Sequence, residues 1–399
     1  MDIDNKINYL VGNSKNFKIL TTQPFDDLCC KFISDLSIEL SKVESIKLYP
    51  DIKALSFWCR NKNIQNLKNN FKINNNELRL GVGLLFHITP SNMPTNFVYS
   101  LLFGLLSGNS NIIKVPTKKF PQVDIICECI KKLLKKKIFL SIKSKIKIVR
   151  YSNNDEFTKK ISSICDARLI WGGNSSINQI RNFKLKERSL DLAFSDRFSY
   201  CVFEGKKILE LNNFEMNRLI ENFYNDTFLM DQNACSSPHL ILWLNDKSQK
   251  AKSFFWSELS SFIKKKYEFP DIASIDKYSK LCTDILEMEN IKSYKIIDNL
   301  IYTITLKSLN SKITNQRGKW GYFYQYHAKD LSDALKFVDK SCQTLSYFGI
   351  KKDKIIELIS KSNLKGIDRI VPVGQTLNIN LTWDGYDIVK ILSRVIEIK

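Results

Sequence analysis

Leu84-Leu85-Phe86-His87-Ile88, then Thr89-Pro90-Ser91-Asn92-Met93-Pro94, then Thr95 to Leu106, then Ile112-Ile113-Lys114-Val115: the fold is decided in this stretch. A short apolar run of strand length meets an interruption rich in proline and asparagine. An apolar segment of helical length follows, and then a second β-branched run. The alternation continues outward. Ile146–Tyr151, Arg168–Trp171, Tyr200–Phe203 and Leu240–Leu244 read as strands, and Val123–Lys137, Ser175–Phe183, Glu215–Phe228 and Lys250–Lys265 as helices. It resumes with strand-like Leu300–Leu306, helix-like Leu331–Val338, strand-like Gln343–Phe348 and helix-like Lys351–Lys361. Strands separated by helices imply βαβ units and open, mostly parallel sheets. The opening fifty or so residues read as helical, with Asp26-Asp27 as first-turn acids before Leu28, Phe32, Ile33, Leu36 and Leu40.

A chain of 399 residues exceeds what one core usually holds, so two α/β domains are expected. The longest apolar run, Phe97–Leu106, is about half of what a bilayer-spanning helix needs. Met1-Asp2-Ile3-Asp4-Asn5 lacks the basic flank and apolar core of a signal peptide. The expectation is a soluble, cytoplasmic protein, whose ten irregularly spaced cysteines are reduced thiols, mostly buried. With three histidines and no paired CxxC units, no metal site is expected. The net charge of +20 is compatible with nucleic-acid binding. However, the lysines are spread along the chain, and the densest run, Lys131-Lys132 with Lys135–Lys137, lies on a helix whose Ile126, Ile130, Leu133 and Leu134 face a core. A solvated basic face explains that run, and no nucleic-acid partner is expected.

Three interruptions carry candidate chemistry. Asn92 follows a strand, where open α/β sheets bind ligands, although an asparagine there also serves as an ordinary helix N-cap. Trp171-Gly172-Gly173-Asn174 joins a strand to a helix; two glycines admit close backbone approach and the helix start favours phosphate, but this is not the dinucleotide fingerprint. Asp231-Gln232-Asn233-Ala234-Cys235-Ser236-Ser237-Pro238 sets a cysteine in a polar loop, where a thiolate could reach substrate.

Taken in order, these motifs resemble the bacterial long-chain fatty acyl-CoA reductase (LuxC-like) family, a branch of the aldehyde dehydrogenase superfamily. The resemblance runs from about residue 50 to the C-terminus. It rests also on Ala54–Arg60, Ser107-Gly108-Asn109, Cys342–Ser346, Gly366–Gly374 and Trp383-Asp384-Gly385. It implies an aldehyde dehydrogenase-like α/β fold of two domains with a small oligomerisation extension. The expected division is a cofactor-binding domain over 1–205, a catalytic domain over 206–372, and a C-terminal segment, 373–399, returning to the cofactor domain. It further implies that Cys235 is the acylated nucleophile and that the Asn92 amide holds the oxyanion. Lys114 bonds the adenosine ribose, Gly172-Gly173 lie under the pyrophosphate, and Ser91, Pro116, Thr117 and Asn174 complete the cofactor site.

The stretch Leu192-Ala193-Phe194 has no carboxylate where oxidative relatives carry their water-activating glutamate, so reduction is expected. Thr117 stands where NAD-preferring relatives often place a glutamate, and Lys118 and Lys119 follow it; the expected cofactor is NADPH. The expected partners are an acyl-CoA substrate, a second copy in a homo-oligomer, and an acyl-protein synthetase or acyl-transferase subunit. An acyl-phosphate, a short acyl-CoA or a carrier-bound acyl group remains an alternative substrate. A basic nucleic-acid-binding protein would leave Cys235 unexplained, and a catalytically dead scaffold would be expected to have lost Cys235 or Asn92.

Overall fold

A computed structural model describes residues 7–74, 76–152, 155–246 and 249–399; Met1–Lys6, which include the residues read above for a signal peptide, lie outside them. Packing divides the chain into two units, Met1–Asp196 with Asn380–Lys399, and Arg197–Ile379.

The first unit holds β1 (Asn8–Val11), β2 (Glu77–Gly81), β3 (Leu84–Ile88), β4 (Ser110–Lys114), β5 (Ile146–Arg150), β6 (Ala167–Trp171) and β7 (Leu190–Phe194). Six of them form a sheet in the order β1-β5-β4-β3-β6-β7, parallel except where β1 runs against β5. The segment read as helical therefore also contains a strand. Its helix, Asp27–Ser41, starts where Asp26, acting as N-cap, accepts from the N–H groups of Leu28 and Cys29. The chain leaves β3 for β4 on one side and later adds β6 on the other. Strand order thus reverses at β3, and its carboxyl end is the place where such sheets take ligands. The helix Asn96–Leu106 is buried on nearly every side. Gly104 lets it lie close: a Cβ there would stand 1.8 Å from Asn111 Oδ1 on β4.

The second unit holds β8 (Phe198–Glu204), β9 (Pro238–Leu244), β10 (Ile291–Ile297), β11 (Ile301–Leu306), β12 (Tyr322–Ala328), β13 (Cys342–Phe348) and β14 (Arg369–Pro372). Their order is β10-β11-β12-β9-β8-β13-β14, parallel except for β10. The central β9 is buried along its whole length, as a strand covered on both faces must be. One face packs a cluster of rings that includes Phe203, Phe223, Trp243, Phe255, Trp256 and Phe323. From Asn380 the chain rejoins the first unit through the hairpin β15 (Thr382–Trp383) and β16 (Tyr386–Asp387) and through β17 (Ser393–Glu397), antiparallel to β2. Arg79 fixes that return by donating to Ser393 Oγ and to the carbonyls of Lys390 and Ser393.

Further expectations differ from the structure. The division falls at Asp196/Arg197 rather than after 205, because β8 pairs with β9 and β13, and the returning segment starts at Asn380 rather than at 373. Leu331–Val338 is not a regular helix. It holds one 3₁₀ turn, Leu331–Leu335, whose cap Asp330 accepts from Ser332 N–H, while Asp333 accepts from Lys329 N–H. These local bonds replace a helical start.

Candidate active site

In the first unit, every residue singled out for the cofactor lies at or just beyond the carboxyl end of one of three adjacent strands, β4, β3 and β6, which together span about 10 Å of the sheet. Asn92 occupies an exposed bend after β3. The helix that follows is capped at Thr95, without a side-chain bond, so the N-cap reading of Asn92 fails. Beneath the loop runs a buried chain of polar groups. Trp171 Nε1–H donates to Ser100 Oγ at 3.0 Å, and Ser100 lies 2.7 Å from His87 Nδ1. His87 Nε2 lies 3.0 Å from Asn111 Oδ1, and Asn111 donates to the Asn109 carbonyl. Since a carboxamide oxygen only accepts, Nε2 carries the proton and Nδ1 accepts from Ser100. Burial pushes the His87 pKa down to about 4, so the ring is neutral at physiological pH. The HxxPSN stretch, the strand after Ser107-Gly108-Asn109 and the Trp-Gly-Gly turn are thus one hydrogen-bonded unit, not three separate signals. Trp171 also stacks on Phe194 at 3.7 Å between centroids.

Gly172 and Gly173 are unusual in what the fold does not ask of them. A Cβ on Gly173 would meet nothing within 4 Å, and one on Gly172 only Ser176 Cβ at 3.8 Å. Neither has a positive φ. Gly173 precedes the helix Asn174–Arg181. Lys114, at the end of β4, is half-buried with its ammonium 5.2 Å from the Tyr151 ring centroid and no carboxylate partner among the described residues; burial holds its pKa below the usual lysine value. Pro116 is buried, and Thr117, Lys118 and Lys119 are exposed. Thr117 Oγ1 donates to the Tyr151 carbonyl at 3.2 Å.

In the second unit, Cys235 sits on a turn before β9. Two consecutive residues in the left-handed region, Asp231 (φ 52°) and Gln232 (φ 61°), lead into it, a strained geometry that persists only when its surroundings enforce it. Gln232 supplies much of that enforcement. Its amide donates to the carbonyls of Pro238 and Tyr322, and its oxygen accepts from the N–H groups of Gly321 and Tyr322. Asp231 accepts from Tyr267 Oη at 2.5 Å. Ser237 N–H closes the turn onto the Ala234 carbonyl at 2.9 Å. Ser199, on β8, donates to the Cys235 carbonyl at 2.7 Å. Sequence reading missed both Ser199 and the role of Gln232. Glutamine beside the motif is a visible signal; a serine within a strand is not.

Eight of the ten cysteines are buried, and none is in a disulfide. Burial pushes the thiols of Cys29, Cys127 and Cys165 up to about 12 and those of Cys30 and Cys342 up to about 11. Such thiols hold little thiolate at neutral pH. The two cysteines that are not buried are Cys282, exposed on the helix Asp271–Glu287, and Cys235, half-buried in its pinned turn.

Two parallel α/β units, with ligand-side loops in the first and a loop thiol in the second, define a protein of aldehyde dehydrogenase fold. Solved structures agree. A NAD-dependent benzaldehyde dehydrogenase from Corynebacterium glutamicum is similar with a TM-score of 0.60 at 9% identity, over 92% of this chain and 84% of that one. A betaine aldehyde dehydrogenase from Staphylococcus aureus, solved with NAD+, gives 0.61 at 11% identity over 93% and 84%. The aldehyde dehydrogenase KauB from Pseudomonas aeruginosa gives 0.64 at 10% identity over 93% and 83%. Among curated proteins none matches significantly. The signature of the acyl-CoA reductase (LuxC) family matches residues 60–395, and the chain belongs to that family. It is therefore an oxidoreductase of acyl-CoA reduction. No helix among the described residues is long and apolar enough to cross a membrane.

Proposed function

We propose that the protein reduces a fatty acyl-CoA thioester to the aldehyde with NADPH, through a covalent acyl group on Cys235. The observation that carries this reading is geometric: of the two cysteines outside the core, Cys282 lies exposed on a regular helix, whereas Cys235 sits half-buried on a turn fixed by Gln232 and Ser199. The Cys235 thiolate attacks the thioester carbonyl, the C–S bond to CoA breaks, and CoA leaves with a proton from solvent. This exchange of one thioester for another is close to balanced and needs a thiolate more than a strong base. When bound, the nicotinamide supplies the hydride that adds to the acyl carbon. Asn92, whose amide no described residue occupies, is assigned the developing oxyanion, where one such donor is typically worth about 10²–10³ in rate. Collapse of the thiohemiacetal anion returns the Cys235 thiolate and frees the aldehyde. Acyl-CoA, reduced cofactor and one proton thus become aldehyde, CoA and oxidised cofactor. Asp191, next to the stretch that lacks a glutamate, is committed to Arg168 and Arg181, which supports reduction over hydrolysis of the acyl-enzyme.

The cofactor residues fit the group. Open space at Gly172 and Gly173 leaves room for a pyrophosphate, Asn174 and Ser91 follow the carboxyl ends of the neighbouring strands β6 and β3, and Lys114 lacks a carboxylate partner among the described residues. Exposed apolar side chains on Asp271–Glu287, among them Ile272, Ile275 and Leu286, support assembly with a second copy or with an acyl-protein synthetase or acyl-transferase subunit. A titration of NADPH against NADH over a panel of acyl-CoAs and acyl-phosphates tests the reading. A charge-assisted contact contributes about 1.5–3 kcal/mol, roughly ten- to a hundredfold. NADPH is expected to lead by at least about tenfold in kcat/KM, and Thr117→Glu to narrow that gap. Equal efficiency in the wild type contradicts the NADPH assignment, and turnover of acyl-phosphate alone contradicts the CoA assignment.

A further inference from the structure

We infer that Ser199 is a positioning residue for acyl transfer, holding the peptide plane that carries the nucleophile; the inference rests on Cys235 being the acyl acceptor. Ser199 is fully buried on β8. Its hydroxyl has one proton, given to the Cys235 carbonyl at 2.7 Å, while its oxygen accepts the Thr344 N–H from β13 at 3.2 Å. Pairing is irregular on both sides of it, between Ser199 and Tyr200 against β9 and between Cys342 and Leu345 on β13. Such irregularities re-aim side chains at the edges of sites.

The held carbonyl has a specific place. Residues 234–237 form a four-residue turn closed by Ser237 N–H on the Ala234 carbonyl. Cys235 is its second residue, so its carbonyl belongs to the central peptide, the one whose flip interconverts the two commonest turn types. The closing bond does not resist that flip. The flipped form would put Ser236 at positive φ, where it does not lie. Ser199 grips the flipping group itself and ties it to the backbone of β13. Thiol exchange needs sulfur and carbonyl carbon within about 3–3.5 Å and aligned, and a displacement of about 1 Å can cost about a hundredfold.

The test compares two buried hydroxyls that bridge the same strands. Ser346 Oγ on β13 donates to the Tyr200 carbonyl on β8 at 3.3 Å and makes no bond to the turn. Acyl transfer is followed as CoA release in a single turnover without reductant, with mass spectrometry to locate the acyl group. Alkylation of Cys235 by iodoacetamide, which demands no such alignment, is measured alongside. Ser199→Ala is expected to slow acylation about ten- to a hundredfold while leaving alkylation little changed. Ser199→Thr is expected to restore the rate, and Ser346→Ala to acylate as the wild type does. If Ser199→Ala acylates at the wild-type rate, or Ser346→Ala slows as much, the inference is overturned. Should Ser199→Ala not fold, Ser199→Cys keeps the shape with a weaker donor; a partial slowing supports the inference and a wild-type rate overturns it. Acylation of a different cysteine in the wild type would instead sink the reading of Cys235.

Discussion

An asparagine just ahead of a helix is ordinarily its cap, and Asn92 is not one. The helix begins at Thr95, and Asn92 stands exposed in the bend before it. Its carboxamide has no structural duty among the described residues, so removing it is expected to spare the fold. Under the proposed mechanism Asn92→Ala lowers turnover by about two to three orders of magnitude, because an amide in that role acts on charge that develops after binding. Cofactor affinity and thermal midpoint should stay near wild type; an equal loss in cofactor binding would show that the residue shapes the pocket instead. Cys235 could be singled out in the sequence because its neighbours are polar while most other cysteines lie in apolar runs. Ser199 could not, since Phe198-Ser199-Tyr200 looks like any strand and its two partners come from 36 and 145 residues away.

At the scale of elements, the strands and helices with clean periodicity were legible, and those with polar residues on the buried side were not. The helix Asp271–Glu287 shows this inversion. Its buried face carries Lys277 and Asp284 beside Ala273 and Leu281, while Ile272, Ile275 and Leu286 face outward. Lys277 is tolerated there because it donates to the carbonyls of Asn299 and Leu300. Asp284 is tolerated because it accepts from Tyr322, Tyr324 and Lys280. No pattern rule anticipates partners supplied by another strand. The Trp-Gly-Gly turn and its expected place under a pyrophosphate were legible in the sequence; the open space around Gly173, which shows that the fold itself tolerates a side chain there, was not. Gly173→Ala is accordingly expected to leave the thermal midpoint unchanged or slightly raised. The same variant should weaken the nicotinamide cofactor about tenfold or more, on the scale of one lost charge-assisted contact. Titration by fluorescence and a melting curve check both, and unchanged cofactor affinity would remove the turn from the site.

At the scale of the whole molecule, each unit contains one fully buried histidine. Burial pushes the pKa of His87 in the first unit down to about 4. In the second unit, burial, with a smaller contribution from Arg317, pushes that of His239 down to about 3. In an unfolded chain both titrate near 6.5. Above that pH neither state binds the proton and stability is full. As pH falls below 6.5 the unfolded chain takes up protons that the folded one refuses, so stability is lost until the folded pKa is reached. Over its whole window His87 accounts for about 3 kcal/mol and His239 for about 5 kcal/mol. Asp226, pushed up to about 6 by burial, opposes them between about pH 6 and 3.8, where the folded state binds the extra proton. His327, also lowered by burial, adds to the loss, and Asp51 and Asp231, also raised by burial, oppose it. Between pH 7 and 5 the large shifts of the two buried histidines dominate, so the thermal midpoint should fall, less steeply in His87→Gln. A midpoint that is flat or rises on acidification contradicts this account.

The proposal that one thiol out of ten carries the acyl group is tested most directly by weighing the whole protein. Incubated with a fatty acyl-CoA and no reductant, the wild type is expected to gain the mass of a single acyl group, on Cys235, and to lose it when NADPH is added, with aldehyde appearing in step. Cys235→Ala should gain none. An acyl group that forms on another cysteine, or that persists in Cys235→Ala, would contradict the assignment of Cys235 as the nucleophile.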